Sequence, residues 1–145
     1  LDRAGRSLDD PAWKGAHHSL GAELLTPSVI YAPAMLALRK HVDVHAFAHI
    51  TGGGIAGNLD RVLPKHCDAV ITRGRWEVPR IFSIVQEAGS VSDAEMEKVF
   101  NLGLGMVAVV PNGAHEATID AIRMAGHDAW LVGEVVEGHG HTRLV

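Results

Sequence analysis

The stretch Val42-Asp43-Val44-His45-Ala46-Phe47-Ala48-His49-Ile50-Thr51-Gly52-Gly53-Gly54-Ile55-Ala56-Gly57-Asn58-Leu59-Asp60-Arg61 reads as strand, glycine turn, helix. Val44, Ala46, Ala48 and Ile50 alternate with His45, Phe47 and His49, the two-residue period of a strand over Val42–Ile50. The glycine triplet breaks that strand. Ala56–Leu63 then predicts a helix stopped by Pro64.

Outward from this unit the chain keeps alternating. Towards the N-terminus, Ser19 is placed to cap a helical turn over Gly21–Leu25, Pro27 ends it, and Val29–Tyr31 reads as a short strand. Pro33 suits the first turn of a helix running to about Lys40. Towards the C-terminus, Cys67–Thr72 predicts a strand, and Pro79 opens a helix with Ile81, Phe82, Ile84 and Val85 on one face. Gly89 stands where a left-handed residue would end that helix. Ser92 with Glu95 is a capping-box signature for a helix through Val99. Val107–Val110 reads as a buried strand, Ala114–Ala125 as a helix closed by Gly126, and Ala129–Val136 and Thr142–Val145 as the last strands. The expected fold is α/β (α+β), a layered domain with a mixed β-sheet covered by helices.

The 145 residues are 47% hydrophobic, enough for one domain with its own core. The single cysteine, Cys67, allows no internal disulfide and points to a reducing compartment. Thirteen basic against seventeen acidic residues, with no basic window carrying aromatics, argue against nucleic acid as a partner. No apolar run reaches the roughly 18 residues of a membrane span, and a signal-peptide layout is absent, so a cytoplasmic protein is expected. Residues 1–18 are polar and weakly periodic. They read as an interdomain connection or a truncated terminus, with the domain proper over 19–145.

Three residues without side chains leave their main-chain N–H groups unshielded, and a helix that starts just beyond adds its own free donors, so Gly52, Gly53 and Gly54 can cradle a phosphate. Thr51 would contribute a hydroxyl, Asn58 an amide and Arg61 a guanidinium. The same glycines would equally serve a tight turn and close packing of helix on strand; the residue types allow both. Neither a Walker A loop nor a Rossmann fingerprint is present in the segment. His49, at the strand's end, is the candidate for moving a proton or binding an anion. His41, His45 and His49 are spaced for a metal on a helix, but on a strand consecutive members lie roughly 13 Å apart, so no metal site is expected. In Phe100-Asn101-Leu102-Gly103-Leu104-Gly105-Met106 the Gly-x-Gly pair marks close backbone approach, and Asn101 is the one polar side chain.

In order along the chain, Leu24-Leu25-Thr26-Pro27-Ser28-Val29-Ile30-Tyr31, the Val42–Gly54 string, Asn58–Pro64, Trp76-Glu77-Val78-Pro79-Arg80-Ile81-Phe82, Phe100–Met106 and Gly133-Glu134-Val135-Val136 resemble the C-terminal half of the aminoimidazole ribonucleotide synthetases, also called phosphoribosylformylglycinamidine cyclo-ligases. The match runs from about Ser19 to Val136. The wider superfamily also holds formylglycinamidine ribonucleotide amidotransferase, selenophosphate synthetase and a hydrogenase maturation protein, which the His49–Pro64 string disfavours.

The resemblance implies an ATP-dependent ligase of purine biosynthesis. ATP phosphorylates the amide oxygen of formylglycinamidine ribonucleotide, an amidine nitrogen attacks the same carbon, and phosphate leaves as the imidazole ring closes. It also implies a cytoplasmic homodimer whose N-terminal domain supplies Mg²⁺ and most contacts to ATP. His49 would be the catalytic residue. Thr51, Gly52, Gly53, Gly54, Asn58, Arg61 and Asn101 would line the substrate or phosphate site. Leu102 and Leu104 stand where the family pattern has Met and Ile, swaps that keep apolar bulk. The Asp-Gly-Val-Gly-Thr-Lys type of motif of the family's N-terminal domain is not among these residues, so the chain alone is expected to be inactive. A binding module that holds a phosphorylated ligand without chemistry is the alternative.

Overall fold

The computed structural model describes residues 4–145; the expected terminal segment 1–18 lies partly outside them. Pairing in the first strand is confined to β1 (Ala46–His49), which runs antiparallel to β3 (Met106–Val109) with Ala46 opposite Val109 and His49 opposite Met106. Ile50 N–H still reaches the Gly105 carbonyl at 2.9 Å, so the ladder fades at the glycine turn. The expected alternation holds at its inner end, where Ala48 and Ile50 are buried and His49 is exposed.

A second sheet has the order β4-β2-β5 and is mixed. Its centre, β2 (Cys67–Ile71), is antiparallel to β4 (Gly133–Glu137) and parallel to β5 (Thr142–Leu144). The mixed sheet agrees with the sequence reading, but the strands divide into two sheets. The link from β4 to β5 wraps the start of β2, where the Asp68 carboxylate accepts from the main-chain N–H groups of His139 (2.7 Å) and His141 (2.9 Å). These bonds hold its carboxyl below the ordinary range, His141 contributing most.

The helices are α1 (Leu20–Leu24), α2 (Ala32–Leu38), α3 (Gly54–Leu59), α4 (Arg80–Gly89), α5 (Asp93–Val99) and α6 (His115–Met124). Ser19 and Ser92 cap α1 and α5 as expected, each accepting a main-chain N–H. Ile55 and Leu59 of α3 join Ile50, Ile71, Trp76, Leu104 and Val107 in the core, each large side chain contributing about 1.5–3 kcal/mol by leaving water. Phe82 of α4 meets Phe100 edge-on, ring centroids 5.9 Å apart.

Four expectations are corrected. Val29–Tyr31 is not a strand: Val29 and Ile30 are exposed, and no neighbouring strand among the described residues takes their backbone bonds. The helix expected over Ala56–Leu63 begins two residues earlier and ends at Leu59, where Val62 N–H turns back to the Leu59 carbonyl. Gly89 stays helical, and Ser90 takes the left-handed conformation at φ 50°. The strand expected from Ala129 begins at Gly133, although Thr72 N–H bonds to the Val132 carbonyl at 2.8 Å.

Candidate functional site

The glycine turn does two jobs. Gly52 and Gly53 are exposed, and a side chain on Gly52 would meet nothing within 4 Å. Gly54 is buried at φ 65°, its N–H is taken by the Thr51 carbonyl at 3.2 Å, and a Cβ there would lie 1.9 Å from the carbonyl oxygen of Glu97 in α5. The third glycine is therefore a packing residue, and two of the three amides stand at exposed positions.

Asn58 is buried and faces back into the turn. Its Nδ2 donates to the carbonyls of Gly54 (2.8 Å), Thr51 (3.3 Å) and Gly52 (3.3 Å), while its Oδ1 accepts from the Thr51 hydroxyl (3.4 Å) and from Arg61 (3.3 Å). Its amide shapes the loop from within. Thr51 and Arg61 themselves are exposed on the outer side.

Just before the turn, exposed His49 ends β1 with its ring edge-on to Tyr31, centroids 6.1 Å apart. Tyr31 also faces His127 at 6.0 Å, tilted by 41°. Burial pushes the pKa of the Tyr31 phenol up, so it stays a neutral donor. The ring of Tyr31 lies over Gly105, where any Cβ would fall 1.9 Å from its hydroxyl. Tyr31 and His127 were not singled out from sequence; the Gly-x-Gly pair was the only trace of the approach.

Asn101 serves its own loop, with Oδ1 accepting from Gly103 N–H at 3.1 Å. Gly103, at φ 95°, packs against Pro79, and Trp76 Nε1 donates to the Leu102 carbonyl at 2.9 Å. The Asn101–Gly103 part of that segment thus fastens the Trp76–Pro79 loop, while its Gly105–Met106 end pairs with β1 and lies against the Tyr31 ring. Thr51, Gly52, Gly53, Arg61 and His49 are all exposed, whereas Gly54 and Asn58 pack and bond within the glycine turn and Asn101 within its own loop. Among the described residues no group of three His, Cys, Asp or Glu side chains converges as a metal site. No helix among them is long and apolar enough to cross a membrane.

The family described as AIR synthase related protein, C-terminal domain, matches residues 3–145. The chain is 43% identical over 146 residues to a phosphoribosylformylglycinamidine cyclo-ligase of Symbiobacterium thermophilum, covering all of this chain and 41% of that protein. It is 36% identical over 145 residues to the cyclo-ligase of Syntrophus aciditrophicus, again over its whole length and 42% of the relative. A putative cyclo-ligase of Streptomyces fradiae is 44% identical over 138 residues, which are 94% of this chain and 75% of that one. The chain therefore spans about two fifths of the length of the first two. Among solved structures, E. coli HypE superposes with a TM-score of 0.61 at 25% identity, covering 86% of this chain and 40% of HypE.

Proposed function

The chain belongs to the AIR synthase related family through that family's C-terminal domain, and from this membership we propose that it is the C-terminal domain of a phosphoribosylformylglycinamidine cyclo-ligase. The observation that carries the proposal is the run of relatives with that one name, aligned with the chain over its full length and through the glycine turn. In this reading the whole enzyme closes the imidazole ring of formylglycinamidine ribonucleotide at the expense of ATP, as a cytoplasmic homodimer. In the same reading Mg²⁺ and most contacts to ATP belong to the part of the enzyme outside this chain.

What this chain contributes is substrate binding and placement. The exposed amides of Gly52 and Gly53, with Thr51 and Arg61 beside them, form an edge suited to an anionic phosphate. Asn58 holds three carbonyls of the loop inward, so the loop keeps its shape without a ligand. His49 stands at the strand end next to that edge, its imidazole able to give or take a proton as the amidine nitrogen attacks.

The test is a fusion of this chain to the remaining portion of the Symbiobacterium thermophilum relative, assayed for ADP, phosphate and aminoimidazole ribonucleotide. Turnover that falls at least tenfold in His49→Ala supports the reading, since a positioned acid or base typically contributes ~10²–10⁴ in rate. A folded fusion that binds phosphate and never turns over would favour the non-catalytic binding module instead.

A further inference from the structure

Three asparagines stand in the chain, each in a different setting. Asn58 is 5% exposed, its Nδ2 donates to the Gly54 carbonyl, and buried Leu59 follows it within α3. Asn101 has its Oδ1 tied to Gly103 N–H, and the Leu102 carbonyl that follows is held by Trp76 Nε1. Asn112 is exposed and is followed by exposed Gly113, in the turn that joins β3 to α6. Among the described residues neither the Asn112 side chain nor the Gly113 N–H has a hydrogen-bond partner. We propose that Asn112 is a self-modification site, where the Asn112–Gly113 linkage converts without an enzyme, through a cyclic imide, to aspartate and isoaspartate.

The Gly113 nitrogen gives its proton to solvent base and attacks Cγ of Asn112. The new N–Cγ bond closes a five-membered imide, the Cγ–Nδ2 bond breaks, and the departing nitrogen takes up a proton to leave as ammonia. Water then opens the ring. Cleavage of the N–Cγ bond gives aspartate, and cleavage at the main-chain carbonyl gives isoaspartate with Cβ in the main chain. Nothing is oxidised or reduced.

Such an attack requires the reacting atoms to come together, and the turn permits it. Gly113 carries no Cβ to shield its nitrogen, holds φ 85°, and has open space around the Cβ position. The Ala114 N–H bonds to the Pro111 carbonyl at 3.0 Å across the turn, which leaves Asn112 and Gly113 outside any helix or strand. The same movement at Asn58 would unwind α3, and at Asn101 it would break the bond to Gly103. Either product sets a negative charge just ahead of α6, whose N-cap Ala114 supplies no side-chain acceptor. Isoaspartate also lengthens the main chain between Pro111 and Ala114, so their turn bond must shift.

This chemistry does not depend on whether the glycine turn holds phosphate. The test is incubation of the whole chain in mildly alkaline buffer, followed by mass spectrometry of the tryptic segment 99–123, which carries Asn101 and Asn112 together, and by enzymatic methylation of isoaspartate. The segment is expected to gain the mass of one deamidation at Asn112 and to accept methyl groups, while Asn58 and Asn101 stay unchanged. A free peptide of residues 109–116 is the unrestrained reference, and the folded chain is expected within about tenfold of its rate. Gly113→Ala is expected to slow conversion about tenfold or more, a barrier increase of about 1.4 kcal/mol, and Asn112→Ser to abolish it, with circular dichroism confirming that both fold. Asn112 still intact when the peptide has converted overturns the proposal, because the fold would then protect the linkage. So does conversion confined to Asn58 or Asn101, or an unchanged rate in folded Gly113→Ala.

Discussion

Gly54, the first residue of α3, sits so close beneath the carbonyl of Glu97 in α5 that a methyl group on it would come within 1.9 Å of the oxygen. The oxygen belongs to main chain and cannot swing away. Gly54→Ala is therefore expected to lose roughly 2–4 kcal/mol, combining overpacking with the cost of an L-residue at positive φ. Gly52→Ala, with open space around its Cβ, should stay within about 0.5 kcal/mol of the parent. Urea denaturation of the two variants checks the contrast, and equal stabilities would show that α3 and α5 can separate freely.

Asn58 is the second support of the turn. Asn58→Ala removes the side-chain bonds to the carbonyls of Thr51, Gly52 and Gly54 and leaves a buried gap, for an expected loss of about 1–3 kcal/mol. Amide hydrogen exchange at Gly54 and Ile55 should speed up before that of β2, because the loop loses its internal bonds while the sheet does not. Uniform acceleration across both would place Asn58 in global rather than local stability.

These two residues also show how far the sequence could be read. Strand, glycine turn and helix were legible because each depends on local chemistry: alternation in Ala46–His49, residues without Cβ at 52–54, and a periodic run after them. The serine caps of α1 and α5 were legible for the same reason. Val29–Tyr31 was misread because β-branched residues favour extended backbone, while a strand also requires a neighbour that only the folded chain can supply. The division into two sheets depends on which edges meet. At the candidate site the glycines were visible, but the inward turn of Asn58 and the meeting of Tyr31, His49 and His127 join residues far apart in sequence.

Acid should loosen the β4–β5 link first. The N–H groups of His141 and His139, then Gly140, hold the Asp68 carboxyl below its ordinary value of 3.8. Since the folded-state value lies below the unfolded one, the stabilisation is complete above about 3.8 and is lost as pH falls through the lower, folded-state value. Asp68→Asn removes the charge, so the variant should be less stable than the parent at neutral pH, with the gap closing in strong acid. Urea midpoints measured across that range check the sign, and a gap that widened on acidification would contradict the assignment.

Arg61 offers the most direct reading of the phosphate edge. Its one side-chain bond among the described residues, to Asn58 Oδ1, is long at 3.3 Å, and the side chain is exposed, so most of its donors are free to meet a ligand. If those donors meet a phosphate, Arg61→Ala should weaken inorganic phosphate by about 1–3 kcal/mol, the range of a bond to a charged group. Folding stability should move by no more than about 0.5 kcal/mol, because little of the fold rests on an exposed side chain. Lysine at this position should recover only part of the affinity, keeping the charge but losing the two-pronged geometry. Titrating phosphate while following the Gly52 and Gly53 amide resonances measures the affinity at the loop itself. An unchanged affinity in Arg61→Ala, with those amides still responding, would leave the main chain as the phosphate's holder and confine Arg61 to bracing Asn58.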